Sequence, residues 1–265
     1  MTPTPASEIP TLTLLYKLHK LGPSRQLPLM AGASPAHNDR IGLLRGDITS
    51  LAIGAIVNAA NESLMGGGGV DGAIHRAAGR GLLEECATLR GCDTGSAKMT
   101  DAYNLPCDKV IHAVGPVYDD EHPLRSEEKL AGCYRTALEL AVRHGVRTVA
   151  FAGISTGIYG YPSMDAAMVA CGTVKTFLET GEGKEGIDKV VFVTFEEKDV
   201  RAYNSVLPRF FPPAGGHLDE DDNSAKMAAT EAEVKAQQLP SVPTTDPAEA
   251  GNPAPKKQRQ DEDGA

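Results

Sequence analysis

The sequence has no run of 18 apolar residues, no CxxC pair and no excess of basic charge. Each absence removes a class of protein. Without the first, no segment is apolar for long enough to form a transmembrane helix, and no membrane partner is expected. Five cysteines, an odd count without that spacing, build neither a disulfide framework nor a zinc ribbon. Reduced thiols in an intracellular compartment, cytoplasmic or nuclear, follow as the expectation. A net charge of −9 leaves little with which to neutralise nucleic-acid phosphates. The opening MTPTPASEIP lacks the charged-then-apolar order of a secretory leader. Glu8 is the one acid among the first 30 residues, beside Lys17, Lys20 and Arg25, so a mitochondrial presequence stands as the lesser alternative.

Aromatic residues also stop early. None follows Phe211, and residues 212–265 hold seven prolines with 11 acidic against five basic residues, which is −6 of the chain's −9. Such a segment cannot bury enough apolar surface to offset its ordering entropy, and a disordered tail is expected there. At the other end, residues 1–37 carry leucines at helical spacing in PTLTLLYKLHKLG (10–22), flanked by prolines. They form a partly helical or loose extension. The folded domain is therefore expected over 38–211.

Within it, short β-branched runs alternate with helical stretches. AIVNAA (55–60), KVIHAVG (109–115), RTVAFAGI (147–154) and KVVFVTF (189–195) read as strands buried on both faces. Helices are expected over 69–79 running on through LLEECATL, over 125–145 with Ser126 as N-cap and Gly145 as stop, over 162–180 and over 196–210. This alternation makes a three-layer α/β domain.

The first strand is followed by NESLMGGGGVDG (61–72), where Gly67 to Gly72 satisfies GxGxxG. The dinucleotide-binding reading fails on context: six residues separate strand and glycines, and CATLRGCDTG (86–95) contains no strand to carry the ribose-binding acid. Backbone N–H groups turned toward an anion, aided by the helix N-terminus, remain a sound reading of Gly66, Gly67, Gly68, Gly69 and Val70; a plain surface turn is the other. A second loop, GISTGIYGYP (153–162), sits where open α/β sheets bind ligands, placing Ser155, Thr156, Gly157, Ile158 and Tyr159 at a strand's C-terminal edge. Two such loops can grip a diphosphate from opposite sides. Neither has the P-loop lysine, which argues against magnesium-dependent triphosphate hydrolysis.

Asp71 and His75, at i and i+4, share one helix face beside the glycine loop. An aspartate in a first turn is commonly a cap, and a lone helical histidine is commonly packed. Their pairing next to an anion loop favours catalysis. No Cys/His set has a metal-ligand arrangement, and His112 inside a strand reads as a packed histidine. No metal or cofactor is expected.

Taken together, GDIT (46–49), IVNAAN (56–61), GGGGVDGAIHRAAG (66–79), YNLP (103–106), VIHAVGP (110–116) and ISTGIYGYP (154–162) resemble a macrodomain of the MacroD type, in the family's order and spacing. The resemblance implies a mixed central sheet and a site for ADP-ribose. It implies that Asp47 accepts from the adenine amino group with Ile48 beside it, and that Phe195 stacks on the adenine. Asn61 would face the distal ribose hydroxyls and join the catalytic set, while Asn58, counted with the binding residues, reads as structural; the plain reading of both amides is to pin loop backbone. It further implies hydrolysis of esters of the distal ribose, from ADP-ribosylated acidic side chains or O-acetyl-ADP-ribose, with Asp71 activating water and His75 positioning Asp71 or moving the proton. Expected partners are ADP-ribose and ADP-ribosylated proteins, with nucleic acid only as an ADP-ribosylated end and the protein a monomer. The alternative is a reader module that binds ADP-ribose without cleaving it. Departures from the family pattern are Ala152-Gly153 before the second loop and Arg80 after AAG, neither at a proposed catalytic position.

Overall fold

The computed structural model describes residues 2–23 and 27–215. The acidic tail expected from 212 onward lies, from residue 216, outside the described residues. In chain order the elements are β1 (Thr4–Pro5), α1 (Leu12–Lys17), β2 (Ile41–Arg45), β3 (Leu51–Ala52), β4 (Ala55–Ala60), α2 (Gly69–Ala78), α3 (Arg80–Thr88), β5 (Ala97–Asp101) and β6 (Lys109–Val114). These are followed by α4 (Pro123–Arg143), β7 (Thr148–Phe151), α5 (Ser163–Glu179), α6 (Gly181–Gly186), β8 (Lys189–Thr194) and α7 (Glu197–Phe210).

Six strands form one sheet in the order β2-β8-β7-β4-β6-β5; all neighbours are parallel except β5, which runs antiparallel to β6. The sheet is mixed, as expected. The long β-branched runs are buried because both faces are covered. On one face Val57, Ile111, Val149, Phe151 and Phe192 pack under α1, α4, α5 and α7; on the other Ile56, Val110 and Ala150 pack against α2 and α3. Strand alternation then fixes which face each polar strand residue occupies. Asn58 of β4, His112 of β6 and Thr100 of β5 all fall on the α2/α3 face.

Several local expectations change. The helix from 69 is two helices, because Gly79 has φ +83° and breaks the ladder between α2 and α3. The long helix begins at Pro123, not after Ser126; proline suits the first turn, and the Ser126 hydroxyl, inside the helix, accepts from the Asp119 amide at 3.1 Å. Strand β5 was missed since AKMTD lacks a β-branched run. Residues 4–21 pack on the domain: Leu12, Tyr16 and Leu21 enter the core, the Tyr16 hydroxyl donates to the Phe211 carbonyl at 2.6 Å, and Lys189 donates to the Ala6 and Ile9 carbonyls.

Candidate active site

Five parallel strands end on one edge of the sheet, and the segments after them carry nearly every site residue expected from the sequence. In spatial order these are Asp47 and Ile48 after β2, Phe195 after β8, Ser155–Tyr159 after β7, Asn61–Val70 after β4, and Gly115 after β6. Four strand spacings make this row about 19 Å long.

At its first end, Asp47 is exposed and caps a short 3-10 turn, its Oδ1 accepting from the Thr49 amide at 2.9 Å and hydroxyl at 2.7 Å. Ile48 is buried beneath it. Phe195 stands on the adjacent strand end with its ring half exposed, and the Gly46 amide ties the two ends together through the Thr194 carbonyl at 3.0 Å. A carboxylate beside an open ring face suits an aromatic base bearing an amino group.

Midway along the row the two glycine loops face each other. A Cβ on Gly68 would lie 3.6 Å from Ile158 Cδ1, while Ile158 is 89% exposed and so overhangs the gap as a lip. Gly66 (φ +84°) and Gly69 (φ +59°) take left-handed backbone, and Gly68 is the N-cap of α2 with no side chain to satisfy the first-turn amides. Amides left free at a helix N-terminus favour an anion. Gly72 lets the loop lie against its own helix, since a Cβ there would stand 2.4 Å from the Gly67 carbonyl oxygen.

The second loop is held differently. Ser155 is a non-glycine at φ +66°, and its buried hydroxyl has no partner among the described residues. Thr156 donates to Asp199 Oδ2 at 3.1 Å, and Lys198 donates to the Thr156 carbonyl at 2.6 Å, so α7 clamps the loop. Gly115 allows the close approach of β6, a Cβ there meeting Ser155 Oγ at 2.1 Å. These supports were not recognised from the sequence; they lie 40 residues or more from the loop they hold.

Asp71 sits at the first turn of α2 with 4% exposure. Its Oδ1 accepts from the Asn58 amide at 2.7 Å, and His75 Nε2 lies 3.5 Å from the same oxygen, within ion-pair reach but not aligned for a hydrogen bond. The other oxygen, Oδ2, faces the loop, where a Cβ on Gly67 would stand 3.2 Å away. Burial pushes the Asp71 carboxyl above the usual aspartate range, against the lowering effects of the Asn58 hydrogen bond and of His75. A carboxylate with one oxygen tied and the other turned toward a ligand loop is suited to accept a proton.

The two asparagines differ from expectation. Asn61 spends both side-chain groups on the loop, donating to the Gly66 carbonyl at 2.9 Å and accepting from Ser63 N at 3.1 Å and Ser63 Oγ at 2.6 Å. Its amide nitrogen would stand 3.2 Å from a Cβ on Gly67, and it also lines a cavity of about 480 Å³ with Glu62, Thr94, Gly115, Val117 and Tyr159. Asn58 takes the structural role: it is fully buried, and its partners are Asp71 and His112 rather than loop backbone, which corrects its place among the binding residues.

A larger cavity of about 980 Å³ lies far from this chemistry, between α4, α5 and α6, against Arg135, Tyr161 and Phe210. The sequence also gave no sign that His75, Cys86 and His112 converge, yet their ligand atoms lie within 4.8 Å of one another. Both nitrogens of His112 are already engaged, by Asn58 at 3.1 Å and Thr100 at 3.0 Å, and burial holds the Cys86 thiol up at about 11. A cation there would have to displace a buried hydrogen bond and take a proton off a reluctant thiol.

A family model, the Macro domain, matches residues 57–170. The chain is 49% identical over 177 residues to the Rattus norvegicus ADP-ribose glycohydrolase MACROD1, covering 67% of this chain and 68% of that protein. To the Xenopus laevis ADP-ribose glycohydrolase MACROD2 it is 50% identical over 182 residues, 69% of this chain but 43% of that one, so it spans less than half of the frog relative's length. A solved Trypanosoma brucei macrodomain in complex with ADP-ribose superposes with a TM-score of 0.64 at 39% identity, covering 77% of this chain and 76% of that chain. With the glycine loop, the buried aspartate and the mixed six-stranded sheet already in place, these likenesses settle its kinship: the chain belongs to the macrodomain family.

Proposed function

We propose that the protein binds ADP-ribose along the strand-end row and hydrolyses esters of its distal ribose, releasing ADP-ribose from modified aspartate or glutamate side chains and acetate from O-acetyl-ADP-ribose. The observation that carries this reading is the divided carboxylate of Asp71, tied at Oδ1 and open at Oδ2 beside a glycine loop suited to a diphosphate. The likeness to two ADP-ribose glycohydrolases and to a macrodomain holding ADP-ribose supports it.

In this scheme Asp47 and Phe195 hold the adenine end, and the two loops hold the diphosphate. Asn61 keeps the glycine loop in shape beside the ribose. Asp71 Oδ2 takes a proton from the attacking water as its oxygen bonds to the ester carbonyl; collapse expels the ribose oxygen, which is protonated in turn, with His75 as the neighbouring group able to carry the proton. A reduced intracellular compartment, cytoplasm or nucleus, is the proposed location, with ADP-ribosylated proteins as partners.

The test is a substrate panel: proteins ADP-ribosylated on carboxylates, proteins ADP-ribosylated on serine, ADP-ribosylated nucleic-acid ends, and O-acetyl-ADP-ribose. Cleavage confined to the esters is expected. Binding of ADP-ribose with no turnover of any substrate overturns the hydrolase reading and leaves the reader module.

A further inference from the structure

Behind Asp71 lies a chain of buried polar groups to which the ester-hydrolysis scheme gives no task. The Asn58 amide nitrogen carries two hydrogens. One reaches Asp71 Oδ1 at 2.7 Å, and the other points to His112 Nδ1 at 3.1 Å. Nδ1 can receive it only as a lone pair, so the imidazole proton must sit on Nε2. There Thr100 Oγ1 accepts it at 3.0 Å, with the Cys86 sulfur 3.6 Å away. Asn58 and His112 are direct partners across β4 and β6, both at 0% exposure, so neither meets a ligand.

The orientation of one amide is at stake. A primary amide fits its cavity in two ways related by a half turn. The turned form would set Asn58 Oδ1 against both the Asp71 carboxylate and the Nδ1 lone pair, two repulsions in a medium of low dielectric. An acceptor at position 112 therefore admits one form only. That form engages Asp71 Oδ1 and leaves Oδ2 toward Gly67.

We propose that His112, as the Nε2–H tautomer that donates to Thr100, is a positioning residue that acts through Asn58 to fix which carboxylate oxygen Asp71 presents to the ligand. The proposal rests on Asp71 as the base. Protonation of His112 would turn Nδ1 into a donor and break the relay; burial, together with His75, pushes its pKa down to about 3, so the acceptor persists at working pH. The other ionisable groups facing the cluster are His75 from α2, Cys86 with its neighbour Glu85 from α3, and Lys98 from β5. Lys98 is the register partner of His112, and its ammonium donates to the Leu89 carbonyl at 2.7 Å.

His112→Phe keeps a ring and removes the acceptor, whereas His112→Gln supplies a carbonyl oxygen in its place. Thr100→Val removes the acceptor of the Nε2 proton and is close to isosteric. The first measurement is a carbon-13 NMR titration of the Asp71 carboxyl in full-length protein, assigned with Asp71→Asn, and it needs no turnover. The second is the pH profile of kcat and KM with O-acetyl-ADP-ribose. His112→Phe is expected to move the Asp71 titration and the acid limb upward by about one pH unit as the Asn58 bond is lost. It is also expected to lower kcat about 10- to 100-fold with ADP-ribose affinity unchanged. His112→Gln should recover most of both effects, and Thr100→Val should show a smaller change of the same sign. If the Phe variant does not fold, the Val and Gln variants carry the same comparison. An Asp71 titration that stays in place in whichever of the Phe and Val variants fold overturns the proposal, as does a Gln variant no better than Phe. Wild-type protein that cleaves no ester sinks the hydrolase reading alone, since the titration still decides whether His112 acts on Asp71.

Discussion

The two loops that face each other across the site are held by different means. The loop after β4 bends at Gly66 and Gly69 and is shaped by glycines and by the side chain of Asn61. The loop after β7 bends at Ser155, a non-glycine residue in left-handed backbone, and is held from below by Asp199 and Lys198 of α7. The first leaves its backbone amides open and adjoins the pair Asp71 and His75; the second brings no carboxylate or imidazole of its own. Turnover should therefore depend on the first loop and its helix, while the second acts as a wall whose firmness governs affinity.

That division breaks or holds on substitutions in each loop. Asp71→Ala should lower kcat about 10³-fold with ADP-ribose still bound in calorimetry, the size expected from losing a general base. Turnover that survives would take the chemistry away from the glycine loop. Gly68→Glu sets a negative charge in the proposed diphosphate site. Like charges in contact cost several kcal/mol, so affinity should fall about 100-fold. Thr156→Val releases one hydrogen bond to Asp199, worth about 1 kcal/mol, and should weaken binding less than about tenfold. Its kcat should stay at the wild-type value; a drop in kcat would mean that the second loop takes part in the chemistry.

Asp71 also links the comparison to stability. Burial raises its carboxyl pKa in the folded protein, so the protonated form is the one the fold favours. That stabilisation is complete below about pH 3.9, the unfolded value, and is lost as pH rises through the higher folded value. At neutral pH the ionised carboxylate works against folding. Asp71→Asn should then raise Tm by about 2–4 °C at pH 7.5, and by less near pH 3.5, in thermal melts.

How much of this was legible in the sequence depends on distance along the chain. The α/β alternation, the buried strands and the glycine loop beside Asp71 and His75 are local patterns, and all stand where the periodicity put them. The break at Gly79 was not visible because the apolar spacing of LLEECATL continues in phase, whereas the stop comes from a left-handed glycine. The task of Asn58 was hidden for another reason. Alternation alone says that Asn58 and His112 each point off a strand, but only the pairing of β4 with β6 puts them side by side on the α2/α3 face. Asp199 and Lys198 likewise could not be tied to Thr156 without knowing that α7 passes under the second loop.

The smallest expected effects come from exchanging the two bends. Gly66→Ala puts a Cβ at φ +84° and 3.4 Å from the His75 ring. The left-handed conformation alone costs an L-residue about 1–2 kcal/mol, and the methyl also crowds the one imidazole beside Asp71. A modest loss of stability with a fall in kcat is expected. Ser155→Gly relieves the same conformational cost at φ +66° and gives up a hydroxyl without a partner among the described residues. Against that gain stands the greater entropy of the unfolded glycine, about 0.5–1 kcal/mol, so the net change in a denaturant melt should be near zero. Kinetics then separate the loops where stability does not: Ser155→Gly should leave kcat alone and raise KM slightly, since a freer wall holds the ligand less firmly. A kcat that falls as far in Ser155→Gly as in Gly66→Ala would make the two loops equal partners in the reaction and end the distinction between them.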